Sequence, residues 1–299
     1  MRTLAIVGPT ASGKSQLALT VAQARNAADK PTEVVAVDAF TVYRRMDVGT
    51  AKPSRADREA VAHHMLDVLE PSDEVNVAAF QSQARATIAA VHTRGATALL
   101  TGGSGLYFRA VVDDLEFPPT DADVRARIDA RFAADPGGAH ELLAQLDPAA
   151  AASIGAHNLR RLVRALEVIE LTGTPFSAFS TAWEQYQSIY DDLTVGYLEP
   201  DAEVLRARIR ARADQMVADG LVDEARALRA SGLSRTAAQG IGYAEAFAVL
   251  DGNLDVGELA EAIAVRTWRY AKRQRAWFRA DPRCTVVDPP ELVEHLVAA

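Results

Sequence analysis

Read for apolar and polar positions, the chain opens on a short hydrophobic run over residues 2–7 that stops at Gly8, and residues 14–24 then place Leu17, Ala18, Val21 and Ala22 on one helical face. That is strand, loop, helix. Further strands are predicted over 33–37, ending in Asp38, and over 96–101, ending in the pair Gly102-Gly103, with helical pattern between them, clearest over 77–92. Ala and Arg are frequent enough to favour helix nearly everywhere, so placement rests on periodicity and punctuation. Strands alternating with helices imply parallel pairing through right-handed crossovers, and the first ~115 residues read as a doubly wound α/β unit.

After Phe117-Pro118-Pro119 the pattern turns almost wholly helical, with helices predicted over 123–134, 139–146 and 159–171 and loops over 135–138 and 173–175. Strand character returns over 192–198, a long helical stretch follows over 202–230, and 285–287 supplies a last strand. The middle therefore reads as an insertion: an α/β core over 1–118 and 191–299, interrupted by a helical domain over 119–190. There is no internal repeat or low-complexity segment.

Composition narrows the class. The chain has 299 residues, 49% hydrophobic and 24% charged, enough for one large domain or a domain with a second built into it. A single cysteine, Cys284, rules out an internal disulfide or a multi-cysteine zinc site and reports no oxidising compartment. Gly8-Pro9 breaks the first apolar run far short of a signal-peptide core, and no run approaches a membrane span, so a cytoplasmic location without membrane contact is expected. A net charge of -8 argues against nonspecific coating of nucleic acid while leaving room for a local basic face.

The chemistry concentrates first at Gly8-Pro9-Thr10-Ala11-Ser12-Gly13-Lys14-Ser15, a full G-x-x-x-x-G-K-[ST] phosphate loop between a predicted strand and a predicted helix. Its glycines let backbone N–H groups turn around phosphate oxygens, the helix start adds positive potential, Lys14 neutralises charge and the Ser15 hydroxyl can hold Mg²⁺. Gly8, Thr10, Ala11, Ser12, Gly13, Lys14 and Ser15 are thus candidate ligands of a diphosphate or triphosphate. Asp38, at a neighbouring strand end, can serve magnesium or accept a proton from an attacking group, and the residues alone permit both.

The loop is followed by VDAFTVYRRMDVGTAKP from Val37, HHMLDVLEP from His63, GGSGLYFRA from Gly102, RRLVRALEV from Arg160, GIGYAE from Gly240 and YAKRQRAWFR from Tyr270. In that order these segments resemble the tRNA dimethylallyltransferases, or tRNA isopentenyltransferases, of bacterial type, over essentially the whole chain. The resemblance implies transfer of a dimethylallyl group from dimethylallyl diphosphate to the exocyclic N6 amine of the adenosine 3′ of the anticodon, with Mg²⁺ as cofactor and the tRNA anticodon stem-loop as partner. It implies a monomer with no obligate protein partner. Asp38 then becomes the general base, because an adenine amine is a poor nucleophile whose proton a carboxylate must take. Lys14, Arg212 and the loop amides would stabilise the departing diphosphate, and Ser104 would donate to its bridging oxygen. Rival readings are a P-loop small-molecule kinase, a noncatalytic tRNA-binding protein and an enzyme that prenylates free adenine nucleotides.

For RNA, residues 266–279 carry Arg266, Arg269, Lys272, Arg273, Arg275 and Arg279 without an acid, interleaved with Trp268, Tyr270, Trp277 and Phe278. Cations suit phosphates and aromatics suit splayed bases. The resemblance places tRNA contacts at Asp38, Ala39, Phe40, Thr41 and Ser104, at Arg125, Arg160, Arg161 and Arg164 on the insert, at Gly242 and Tyr243, and at Lys272, Arg273, Gln274 and Arg279. Ala39 and Phe40 depart from the family, which commonly has serine and then a polar residue there. His63 and His64, adjacent and so pointing differently, are expected to be structural.

Overall fold

The computed structural model describes residues 2–179, 183 and 185–298. It divides into two compact units, one made of residues 1–113 and 188–299, the other of Asp114–Gln187. The chain leaves and rejoins the first unit at a single place, where Asp113 and Ser188 form an antiparallel bridge and the Ile189 N–H donates to Val112 O at 2.8 Å. The division therefore falls a few residues before the proline pair and before residue 190.

The first unit is a parallel sheet with helices on both faces. Along the chain come β1 (Thr3–Val7), α1 (Lys14–Ala27), β2 (Thr32–Ala36), α2 (Arg55–Ala60), β3 (His63–His64), α3 (Val77–Thr93), β4 (Thr97–Gly102) and α4 (Gly105–Val112). The six strands lie in the order β3-β2-β4-β1-β5-β6, where β5 is Leu193–Tyr197 and β6 is Thr285–Val286, and every pairing is parallel. This is the doubly wound α/β class predicted from the alternation. Strand β1 sits between β4 and β5 and all five of its residues are buried. Leu4 and Ile6 point to one face, against Leu17, Ala18 and Val21 of α1, while Ala5 and Val7 join the larger core on the other with Phe80, Ala84 and Ile88 of α3. Neighbouring strand ends β1, β4 and β2 bring their loops together at the carboxyl edge of the sheet, where ligands of this class collect.

The second unit holds α5 (Ala122–Phe132), α6 (Pro136–Leu146), α7 (Pro148–Ser153) and α8 (Leu159–Thr172). Asp121, Asp135, Asp147 and Asn158 cap them by accepting from first-turn amides, and Gly173, at φ 67, ends α8. The predicted loop at 135–138 is thereby corrected: Pro136 opens α6, because a proline at the first helical position loses no hydrogen bond. Ile128, Phe132, Leu143, Leu162 and Leu166 make the unit's core. Fully buried in it is the Glu167 carboxylate, which accepts from Asp121 N, Thr120 Oγ1, Arg125 and Arg164.

Returning to the first unit, the chain continues with α9 (Ala202–Ala218), α10 (Leu221–Ser231), α11 (Arg235–Ala238), α12 (Tyr243–Leu250), α13 (Leu259–Ala280) and α14 (Pro289–Ala298). The long helical stretch predicted over 202–230 is divided into two helices, since Gly220 takes φ 89 and breaks the ladder. Helix α14, which the apolar pattern did not reveal, packs Leu292 and Leu296 beside α1, and Arg25 donates to Leu296 O at 2.7 Å. Among the described residues no helix is long and apolar enough to cross a membrane.

Candidate active site

The phosphate loop joins β1 to α1 as its sequence requires. Ala11 and Gly13 both take positive φ, 61° and 95°, which turns successive N–H groups to one side. Gly13 caps α1 without any side-chain hydrogen bond, so the first-turn amides of α1 stay free of a capping side chain. The Ser12 hydroxyl is buried with no partner, a group that a ligand can satisfy. Ser15 stands exposed in the first turn of α1. The Thr10 amide is already taken: it donates to Gln274 Oε1 at 2.9 Å.

Lys14 is half-buried and its Nζ donates to Pro9 O at 3.2 Å. Burial pushes its pKa down to about 8, the neighbouring Arg212 guanidinium pushes the same way, and Asp38 opposes them. Arg212 is itself held below the ordinary arginine value by burial, with Asp38 again opposing, and its Nη2 donates to Thr50 O at 3.3 Å. Lys14, Arg212 and Asp38 thus form one electrostatic cluster, two cations and one anion, at the carboxyl edge of the sheet. Four residues before Arg212 on the same face of α9, Arg208 donates from Nη1 to Ser12 O at 3.0 Å. Alternating arginines hid this contact from sequence reasoning. Arg206 lies over the Trp268 ring and Arg210 pairs with Asp214 and Glu261, so both face away from the loop.

Asp38 follows β2. Its Oδ1 accepts from Phe40 N at 2.8 Å and Thr41 N at 3.3 Å, an Asx turn that fixes the carboxylate. The second oxygen, Oδ2, takes no hydrogen bond among the described residues. Phe40 is half-buried, packs on the core and lines the cavity described below, while the Thr41 hydroxyl is buried without a partner. Ser104 begins α4 without capping it, and its side chain interacts with the Tyr270 hydroxyl of α13. Tyr270, grouped by the sequence with the aromatics that could stack on RNA bases, has its phenol pushed well above the ordinary value by burial first and by Asp38 second.

A cavity of about 270 Å³ opens here, reaching Thr10, Asp38, Arg212 and Tyr270. Its other walls are mixed: Ile209, Ala213, Met216 and Ile263 are apolar, while Thr50, Gln239, Arg266 and Arg273 are polar.

Several residues expected to contact tRNA make contacts within the protein. Gln274 is 4% exposed; besides accepting from Thr10 it donates from Nε2 to Gly103 O at 2.7 Å, so both ends of its amide are used inside the protein. A side chain on Gly103 would lie 2.5 Å from that amide, which is why glycine stands there. Tyr243 is buried, its hydroxyl donating to Glu224 Oε1 at 2.5 Å and its ring against Gly49, and Gly242 takes φ 97 to start α12. Arg125 and Arg164 are engaged with the buried Glu167. Phe278 is core, tilted on Tyr197 at 5.6 Å between ring centroids. In the free protein these side chains engage polar or aromatic groups within the fold, with Arg125 still exposed. Exposed as well are Lys272 and Arg273 on α13 and Arg160 and Arg161 on α8; Arg279 is exposed too, paired with Glu199. His63 Nδ1 lies 2.8 Å from Val61 O and His64 Nε2 2.5 Å from Glu33, on the edge strand.

The family model described as IPP transferase matches residues 41–281. A tRNA dimethylallyltransferase of Kineococcus radiotolerans is 49% identical over 292 residues, covering 96% of this chain and 91% of its own length. That of Bifidobacterium longum is 43% identical over 301 residues, covering 99% and 90%. Among solved structures, the tRNA isopentenylpyrophosphate transferase of Bacillus halodurans is 36% identical with a TM-score of 0.70 over 99% of this chain and 94% of that one. A eukaryotic dimethylallyltransferase acting on tRNA is 25% identical with a TM-score of 0.80, over 98% and 75%. With the family match spanning most of the chain and relatives aligned nearly end to end, this protein belongs to the IPP transferase family.

Proposed function

We propose that this chain transfers a dimethylallyl group from dimethylallyl diphosphate to the N6 amine of the adenosine 3′ of the anticodon in tRNA, releasing diphosphate. The observation that carries the reading is Asp38: one carboxylate oxygen is locked by two backbone amides and the other is unclaimed, beside a cavity that also reaches the phosphate loop and Arg212. A P-loop kinase also uses a strand-end carboxylate, for magnesium or as a base, so amine alkylation is favoured by the carboxylate together with the IPP transferase family match over residues 41–281.

The chain's own groups then act as follows. The loop amides, Lys14 and Arg212 bind the diphosphate and stabilise the charge that grows on it as the C1–O bond breaks, the point at which preorganised donors lower a barrier most. The electron pair of that bond leaves with diphosphate; the N6 lone pair forms the new C1–N bond; the N6 proton passes to Asp38 Oδ2. Ser104 donates to the bridging oxygen of the leaving group. Ile209, Ala213, Met216 and Ile263 keep water from the allylic carbon. Ser15 offers a hard oxygen at the loop, which fits Mg²⁺, an ion commonly bound through one or two protein oxygens and the substrate's phosphates. When bound, Mg²⁺ would add positive charge at the leaving group. For RNA, exposed Lys272, Arg273 and Arg279 supply phosphate contacts and the segment 38–41 meets the extruded base, with Arg160 and Arg161 offering a further basic surface on α8.

Incubating the protein with unmodified tRNA, labelled dimethylallyl diphosphate and Mg²⁺ tests this. Label in a single adenosine of the anticodon loop is expected. Phosphoryl transfer from ATP without alkylation, or label only in free adenine nucleotides, would overturn it.

A further inference from the structure

Between α9 and α13 the active-site cavity is walled by two facing helical stripes, Ile209, Ala213 and Met216 on α9, and Ile263, Thr267 and Tyr270 on α13. Both stripes follow the i, i+4, i+7 spacing of one helix face. The helices run antiparallel, since Arg206 lies over the Trp268 ring at 4.4 Å while Arg210, further along α9, pairs with Glu261, further back on α13.

Only one end of this wall meets the phosphate loop. There Arg208 holds Ser12 O and Gln274 holds Thr10 N. Counted outward from the loop, Ile209 and Tyr270 come first, Ala213 and Thr267 next, and Met216 and Ile263 last. The seven steps from Ile209 to Met216 rise about 10 Å. The far end is closed: Met216 is 7% and Ile263 2% exposed, and both belong to the main core. The mouth lies on another side, where Gln239 and Arg273 are exposed. Ala213, the smallest residue of the stripe, leaves room at the middle level.

An extended isoprenoid grows by about 5 Å for each C5 unit, estimated from ordinary bond lengths. A chain anchored by its diphosphate at the loop therefore places its first unit at the level of Ala213 and would drive a second into Met216 and Ile263, side chains already packed at interior density. We propose that Met216, with Ile263 facing it, is the stop that limits the transferred group to one C5 unit and excludes C10 geranyl diphosphate. This rests on the alkyl-transfer reading above.

The test uses the full chain, unmodified tRNA, Mg²⁺, and dimethylallyl or geranyl diphosphate, with kcat/KM for each donor and the mass of the modified nucleoside as readouts. For Met216→Ala the ratio of geranyl to dimethylallyl kcat/KM is expected to rise ~10- to 200-fold, the span that a methylene-sized change in an apolar pocket commands. Ile263→Ala should move the ratio the same way, and Met216→Leu should leave it near the wild-type value. Thermal melts confirm that each variant is folded, and Met216→Val and Ile263→Ala probe the same end should Met216→Ala unfold. An unchanged ratio in the folded variants, or wild-type protein that uses both donors equally, overturns the stop. Wild-type protein that labels no RNA from dimethylallyl diphosphate sinks the functional reading itself, a result distinct from the first two.

Discussion

Lys14 provides the most direct physical test of the site, because its charge depends on whether the cradle is filled. In the free protein burial and then Arg212 push its pKa down to about 8, with Asp38 opposing. A bound diphosphate replaces that desolvated, repelled environment with anionic oxygens and restores the ammonium to at least the ordinary lysine value, roughly 10.4. The sign follows: below pH 8 the free protein already carries the proton and affinity is flat, whereas between about pH 8 and 10.4 binding must take one up, and affinity falls about tenfold per pH unit. From pH 7 to pH 9 the loss is ~10-fold, with uptake of ~0.9 proton per ligand at pH 9. Phosphate monoesters lose their last proton near pH ~6, so the ligand itself is fully ionised throughout. Calorimetric titration with a non-reacting thiolo analogue of dimethylallyl diphosphate, in two buffers of different ionisation enthalpy, measures both quantities. Lys14→Arg, whose guanidinium stays charged, should remove the slope whatever its absolute affinity. A wild-type affinity that is constant from pH 7 to 9, or an arginine variant with the same slope, would refute the assignment.

Asp38→Ala, assayed at pH 7 where Lys14 remains charged, should slow single-turnover transfer by ~100-fold or more while diphosphate affinity changes little, the usual scale for loss of a general base; an unchanged rate removes Asp38 from the chemistry. Arg212→Ala should lower the transfer rate by ~100- to 1,000-fold, and Arg208→Ala, which only frees Ser12 O, should act mainly on affinity, by ~10-fold or so; rapid-quench rates and equilibrium binding separate the two, and equal effects on rate would contradict the division drawn from their contacts. Glu167→Ala should destabilise the helical unit by ~1–3 kcal/mol by leaving Thr120 Oγ1 and Asp121 N without their acceptor, while the partly exposed Arg125 and Arg164 regain solvent. Burial alone would raise the Glu167 pKa, but hydrogen bonds from Arg164, Asp121 N, Thr120 and Arg125 overcome it and hold the carboxyl below its ordinary value. Its contribution is therefore present above the ordinary carboxylate range and lost as pH falls through the depressed value. Thermal melts that match wild type at pH 7 would show the network to be idle.

What the sequence made legible is local chemistry. The phosphate loop could be placed because glycine spacing, lysine and hydroxyl all lie within eight residues, and the loop they form obeys that spacing with φ of 61° at Ala11 and 95° at Gly13. Asp38 could be placed because strand ends in this fold class gather at one edge. Orientation around a helix was not legible in the same way. Arg206, Arg208, Arg210 and Arg212 look equivalent as letters, yet a 100° step per residue sends Arg208 and Arg212 to the loop and the other two to solvent-side partners. Tyr270 was read as a stacking face for RNA because nothing in its neighbourhood signals that Ser104, 166 positions earlier, meets its hydroxyl. Gly220 was the overlooked signal: a glycine after an aspartate inside a helical run ends one helix and starts another.

The same geometry explains why one short basic motif on α13 can serve two purposes. Lys272 and Arg273 face outward, Gln274 faces the sheet edge and Arg275 turns to Glu199, so the motif is divided by direction. A glutamine is the residue that the inward position requires, because it must accept from Thr10 N and donate to Gly103 O at once. Glutamate would leave Gly103 O without a donor and set a negative charge beside the diphosphate cradle; lysine would leave the Thr10 amide unmet. A neutral, bifunctional side chain is the one solution that ties the loop after β1 to the loop after β4 without altering the charge balance of Lys14, Arg212 and Asp38. The helix that carries the outward cations is therefore fastened, through a single amide group, to the loop that holds the leaving group.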